Sequence, residues 1–149
     1  ELKDAPIKRI KEIIRPIGSY NKKSEYIKQI AKELVEKYDS KVPTDKDILI
    51  TFPGIGRKTI NVFLSEFYNY PAIAVDTHVE RVSKRLNLAK SKDDVLTIEK
   101  KLMKFYDKDT WAKRHLQMVL FGRYYCKAKK PECNNCKLKE ICKEKKERI

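Results

Sequence analysis

Four cysteines crowd between positions 126 and 142 with the spacing C-x6-C-x2-C-x5-C. Thiolates so placed can share one metal centre, and Cys126, Cys133, Cys136 and Cys142 are the candidate ligands. A zinc ribbon would more often pair two short C-x2-C knuckles. Here one C-x2-C stands beside two longer intervals, which favours a four-iron, four-sulfur (4Fe-4S) cluster over tetrahedral zinc. Disulfides are the remaining alternative, and a reducing compartment disfavours them. Lys127, Lys129, Lys130, Lys137 and Lys139 interleave with the cysteines. A metal-held loop would present them as a fixed basic surface to phosphate, a structural role rather than electron transfer.

A second group centres on "FPGIGRK", residues 52–58. Glycine lets a backbone turn tightly or approach a ligand closely, so Gly54 and Gly56 mark a turn between two helices. The amides of such a turn and of the following first helical turn carry partial positive charge and suit a phosphate oxygen. Arg57 and Lys58 add full charges, Thr59 stands beside them, and Ile55 at the tip is expected to pack inward. Close packing of two helices is the plainer use for the glycines. The basic pair and the net charge favour sequence-independent DNA backbone binding instead.

Lys58 can also do covalent chemistry. An amine is a nucleophile only when neutral, and a helix N-terminus, the neighbouring Arg57 and partial burial would all favour that form. Beside a bound sugar-phosphate it could attack the anomeric carbon of a deoxyribose, displace the base and form a Schiff base. β-Elimination would then break the strand. A carboxylate would stabilise the positive charge that builds on the sugar. Asp76 is the candidate, although position alone favours a helix N-cap for Asp76 and leaves a phosphate clamp open for Lys58. His78 could contact DNA or satisfy its own helix turn, and His115 reads as a structural histidine.

The periodicity around these residues is helical nearly throughout, and the class is all-α. A helix over about 5–15 buries Ile7, Ile10 and Ile14, followed by Gly18. Ile27, Ile30, Ala31, Leu34, Val35 and Tyr38 line one face of the next. Thr44 with Asp47 predicts the N-cap and acidic first turn of a short helix to about Thr51. Ile60, Phe63, Leu64 and Phe67 mark a helix from about Arg57 to Tyr68. "AIAV" is extended. "DTHVERVSKRL" is a further helix burying Val79, Val82 and Leu86, and two more lie near 93–105 and 110–125, the last carrying Leu116, Val119 and Leu120. Residues 1–108 are expected to form a helical lobe with the hairpin at about 45–68, and 109–149 a final helix and the cysteine loop. "KEKKERI" reads as a fraying tail.

The charge bounds the partner. With 35 Lys and Arg against 21 Asp and Glu, the formal net charge is +14. Nucleic acid is the first expectation, a membrane surface the second and a merely lysine-rich surface the third. No apolar run is long enough to cross a bilayer and no signal peptide stands at the start, so a cytoplasmic (nucleoid-associated) or nuclear location is expected. The chain opens on Glu1 in an already helical pattern, which fits a processed or partial product.

Taken together, "FPGIGRKTINV", "AIAVDTHVERV" and the cysteine spacing resemble endonuclease III, of the helix–hairpin–helix DNA glycosylase superfamily, from about Ile7 to Cys142. The resemblance implies that fold, with a partial six-helix lobe and a cluster-loop lobe. It implies Lys58 as nucleophile, Asp76 as catalytic carboxylate, and four cysteines carrying a 4Fe-4S cluster. It also implies base-excision repair of double-stranded DNA: excision of oxidised pyrimidines, then nicking of the abasic site. His78 would lie near the gap left by a flipped nucleotide. Adenine-removing relatives lack the hairpin lysine. The family begins several helices earlier, so a further segment or a second chain would supply them. In "IGSYN" the family places a bulky apolar wedge where this chain has Ser19. Tyr20 could substitute, and Ser19, Tyr20 and Asn21 are candidate DNA contacts. An AP lyase acting only on abasic sites and a non-catalytic DNA-binding module are the rival readings.

Overall fold

The computed structural model describes residues 1–146, with 145 and 146 by backbone alone. Among the described residues seven α-helices run in chain order: α1 (Ile7–Ile14), α2 (Tyr20–Lys37), α3 (Lys46–Leu49), α4 (Arg57–Tyr68), α5 (Thr77–Arg85), α6 (Val95–Phe105) and α7 (Trp111–Tyr124). There is no strand among the described residues, so the all-α expectation holds. The chain divides into two compact units inside α4, between Ile60 and Asn61.

In the first unit α1 packs on α2. Ile10 is the buried residue of α1, with Ile7 and Ile14 half-buried beside it. Lys28 reaches back from α2 to donate to the Ala5 carbonyl at 2.9 Å, tying the approach to α1 onto α2. The apolar stripe of α2 is half-buried except for Val35, which is exposed. The short helix α3 starts one residue later than the sequence indicates. Its cap is Asp45, not Thr44, and one carboxylate oxygen of Asp45 accepts from the backbone N–H of Asp47 at 2.7 Å and of Ile48 at 3.2 Å. Such a cap satisfies two of the amides a helix start leaves unpaired. Phe52, immediately before the glycine turn, is buried and meets the Tyr38 ring edge-on at 5.7 Å.

The second unit is built on α5. Ile73, Val75, Val79, Val82, Ala89, Ile98, Leu102 and Met118 form one buried cluster. The "AIAV" stretch, Ala72 to Val75, is wholly buried without regular secondary structure. Buried backbone needs hydrogen-bond partners, and the buried Asn61 side chain supplies one to the Ile73 carbonyl at 3.4 Å. The turn after α5, with Asn87 at a φ of 61°, sends the chain toward α6. Asp94 caps α6 by accepting from the Thr97 amide at 2.8 Å.

Two expectations about buried faces are corrected. Leu116 and Leu120 of α7 are exposed, while Met118 and Gly122 are buried. Phe67, the last member of the α4 stripe, is exposed as well. Within the charged tail expected to fray, Lys143–Lys146 forms a 3-10 turn. The rest of that tail lies outside the described residues.

Gly122 is buried because α5 crosses α7 there. A β-carbon at 122 would stand 2.9 Å from His78 Cβ and 3.2 Å from Val82 Cγ2. His78 Cβ is fixed to the α5 backbone, so one helix would have to move. Gly122→Val should lower unfolding free energy by about 1–3 kcal/mol, the usual cost of overpacking, as read by urea denaturation. Unchanged stability would show that α5 and α7 do not meet at this point.

Candidate functional site

The hairpin of the first unit is assembled from its glycines outward. Gly54 has a φ of 75°, in the left-handed region. A β-carbon there would also collide with the Tyr26 ring, so that side chain of α2 lies against the turn's backbone. Gly56 differs: nothing stands within 4 Å of where its β-carbon would be. Gly54 is therefore fixed by packing, and Gly56 leaves open space above the start of α4. The Ile55 amide closes the turn onto the Phe52 carbonyl at 3.2 Å, and Ile55 is half-buried as expected.

α4 then begins with Arg57, Lys58 and Thr59, all exposed. The first amides of a helix have no partner within it and carry the positive end of its dipole. Lys58 thus stands in the first turn of an amide-rich helix start, beside a glycine that allows close approach. Partial burial of Lys58 was expected and is not found: the side chain is exposed. Ser19 precedes α2 as an exposed residue in the left-handed conformation, with φ 59° and ψ 31°. Tyr20 is half-buried and Asn21 exposed.

In the second unit Asp76 is the N-cap of α5. Its Oδ1 accepts from the amides of His78 at 2.9 Å and Val79 at 2.8 Å. The plain reading of this residue is thus correct, and it leaves the chemical one open. One oxygen takes both cap bonds, while the half-buried carboxylate keeps its second oxygen without a protein donor among the described residues.

His78, half-buried, has Nδ1 3.2 Å from Arg81 Nη2. A guanidinium only donates, so Nδ1 accepts and the neutral ring carries its proton on Nε2. Its own helix turn thus satisfies one side of the ring. His115 lies half-buried on α7.

Two arginines that sequence reasoning passed over tie α5 to the cysteine loop. Arg81 donates to the Cys126 carbonyl at 3.0 Å, the Gly122 carbonyl at 2.6 Å and the Thr77 carbonyl at 3.2 Å. Arg85, only 7% exposed, donates through Nη1 to the Lys127 carbonyl at 2.8 Å, and the same nitrogen lies 3.4 Å from the Cys126 sulfur. Their i, i+4 spacing on α5 was the available signal. It places both on one face, but the pattern alone does not say which carbonyls they meet.

The four cysteines line one cavity with Arg85. Cys126, Cys136 and Cys142 are half-buried and Cys133 is exposed. Four thiolates on a single zinc would lie roughly 3.8 Å apart. Among the described residues, no three His, Cys, Asp or Glu side chains are gathered as one ion requires. Four cysteines on a common cavity supply the donor set that a four-cysteine centre needs, and a buried cation beside one sulfur suits thiolate ligands. Around them Lys129, Lys130 and Lys137 are exposed, while Lys127 pairs with Glu132 at 3.0 Å.

An all-helical fold, a glycine hairpin opening onto a basic helix start, a capped aspartate and a four-cysteine loop define the class. Residues 1–108 match the HhH-GPD superfamily base excision DNA repair protein family, and the chain belongs to that superfamily. Within it, the chain is similar to endonuclease III of Bacillus subtilis (strain 168), with 46% identity over 139 residues, 93% of this chain and 64% of the relative. Two solved structures superpose on it at 46% identity, each covering 99% of this chain and 69% of theirs. One is a trapped endonuclease III–DNA covalent intermediate, TM-score 0.93, and the other a non-covalent endonuclease III–DNA complex, TM-score 0.94. The chain spans under two thirds of the length of the curated relative. These likenesses give no support to a second chain as the source of additional helices. Among the described residues no helix is long and apolar enough to cross a membrane.

The cap geometry separates structure from chemistry at Asp76. Asn caps as well as Asp, while Ala costs about 0.5–2 kcal/mol. Asp76→Ala should lose that much stability and Asp76→Asn almost none, by thermal or urea unfolding. Equal losses in the two variants would mean that the carboxylate's charge, not its cap bonds, holds α5.

Proposed function

We propose that the protein is a bifunctional DNA glycosylase/AP lyase. It removes oxidised pyrimidines from double-stranded DNA and nicks the abasic site through a lysine Schiff base. The observation that carries the reading is Lys58: an exposed amine in the first turn of α4, next to an unobstructed Gly56 and the first-turn amides of the helix. A phosphate seated on those amides would bring a sugar within reach of that amine. Arg57, Thr59 and the backbone of Gly54 and Gly56 then act as the phosphate grip.

The chemistry follows from the side chains. The Lys58 lone pair forms a bond to the anomeric carbon as the bond to the base breaks, and the base leaves with that electron pair and takes a proton. The sugar ring oxygen accepts a proton as the ring opens to the iminium. Loss of a proton from the adjacent carbon then expels the 3′ phosphate, and water releases the lysine. Asp76, through the oxygen its cap leaves over, stabilises the cationic sugar and carries protons. His78 offers Nε2–H to the strand. Desolvation of the Lys58 amine comes from bound nucleotide, since the protein leaves it exposed.

Cys126, Cys133, Cys136 and Cys142 would hold the 4Fe-4S cluster, which when bound supplies a rigid core for the loop. The loop's own contribution is electrostatic, with Lys129, Lys130 and Lys137 meeting the phosphodiester backbone. Ser19, small and exposed where the family has an apolar wedge, makes the 19–21 segment a weak base-evicting element, with Tyr20 as its bulky side chain. That favours abasic sites over intact damaged bases as the faster substrate and keeps an AP lyase as the second reading.

Borohydride trapping tests these readings together. With duplexes bearing thymine glycol or an abasic site, a covalent adduct on both, lost in Lys58→Gln by a factor of at least about 10³, is the expected result. Trapping on the abasic duplex alone selects the lyase. Binding without trapping on either leaves a DNA-binding module and contradicts the proposal.

A further inference from the structure

The buried Arg85 has one partner that the site above does not use. Glu144 lies on the 3-10 turn that follows the last cysteine, and its Oε2 is 3.1 Å from Arg85 Nε. The same guanidinium reaches Cys126, the first cysteine, through Nη1. One planar cation therefore joins the two ends of the cysteine loop.

A guanidinium only 7% exposed must have its charge compensated, because desolvating an unpaired cation costs several kcal/mol. Its backbone acceptors at Cys126 and Lys127 satisfy hydrogen bonds but carry no charge. Glu144 supplies the countercharge. The carboxylate stands at ion-pair distance from Nε without a hydrogen bond to it, so it acts on the rigid guanidinium by charge and holds it beside the sulfur that Nη1 faces.

We propose that Glu144 is a positioning residue for the cysteine centre. It holds Arg85 against the Cys126 sulfur, so that the segment beyond Cys142 latches the loop closed. The inference rests on the cluster reading above. Donors to ligand sulfurs orient the ligand and shield it, and outer partners of this kind commonly change metal retention by one to two orders of magnitude. Losing the latch would free Cys126 to rotate away and open the cavity from its C-terminal side.

The test uses the full chain purified with its centre in place. Iron and acid-labile sulfide are assayed first. Wild-type protein without them refutes the cluster reading itself, and the latch with it. With the cluster present, the decay of its broad visible absorption in air and chelator is timed for wild type, Glu144→Ala, Arg85→Lys and the double variant. Glu144→Ala should shorten the half-life by at least about threefold while helical circular dichroism is retained. Because Glu144 acts through the guanidinium fork, the double variant should decay no faster than Arg85→Lys. Glu144→Asp, which keeps the charge, should recover part of the lost lifetime, while Glu144→Gln, which does not, should decay like Glu144→Ala. A change under about threefold in Glu144→Ala, or a further threefold loss in the double variant, overturns the proposal. If Arg85→Lys does not fold, the Glu144→Ala and Glu144→Asp pair decides alone: recovery in Asp supports the latch, and equal loss in both refutes it.

Discussion

The hairpin depends on a missing side chain. Gly54 sits at a φ of 75° with the Tyr26 ring lying where a β-carbon would go. A non-glycine residue would pay about 1–2 kcal/mol for the left-handed backbone and a comparable sum for displacing the ring. With both demands met by glycine, the turn closes through the Ile55 amide, and α4 begins at Arg57. The position of the first-turn amides, and of Lys58 among them, follows from that closure. The two glycines of the motif thus do different work. One permits a packed turn, while the other leaves room where a phosphate would sit.

α5 is the corresponding element of the second unit. Its N-terminus is organised by Asp76, which spends one oxygen on structure and keeps one for chemistry. One turn later Arg81 fixes the His78 tautomer and reaches the carbonyls at the end of α7. A further turn on, Arg85 meets the cysteine loop. A single nine-residue helix therefore carries a candidate catalytic group at one end and the support of the cysteine loop at the other. Gly122 is what lets α7 come close enough for those arginines to reach.

Much of this was legible before any coordinates. α4 and α5 could be bounded because punctuation surrounds them: the Pro-Gly-Ile-Gly turn before one, Pro71 and the aspartate cap before the other. Val79 and Val82 were identifiable as core because a helical period fixes the face. What periodicity does not contain is the neighbour. Leu116 and Leu120 follow the apolar spacing of α7 yet are exposed, because the face that α5 covers is the one through Met118 and Gly122. The capping aspartate of α3 was missed because Thr44 and Asp45 are both good caps, and only the backbone decides between them. Arg81, Arg85 and Tyr26 were missed because most of the groups they meet lie far along the sequence.

The central claim is that one amine among many is the nucleophile. In a chain with 35 Lys and Arg, an adduct alone does not say which side chain formed it. Proteolysis and mass-spectrometric mapping of the borohydride-reduced adduct on an abasic duplex answers directly. The account predicts the sugar remnant on the peptide carrying Lys58 and on no other lysine. A remnant on a different lysine, or spread over several loop lysines, would contradict it.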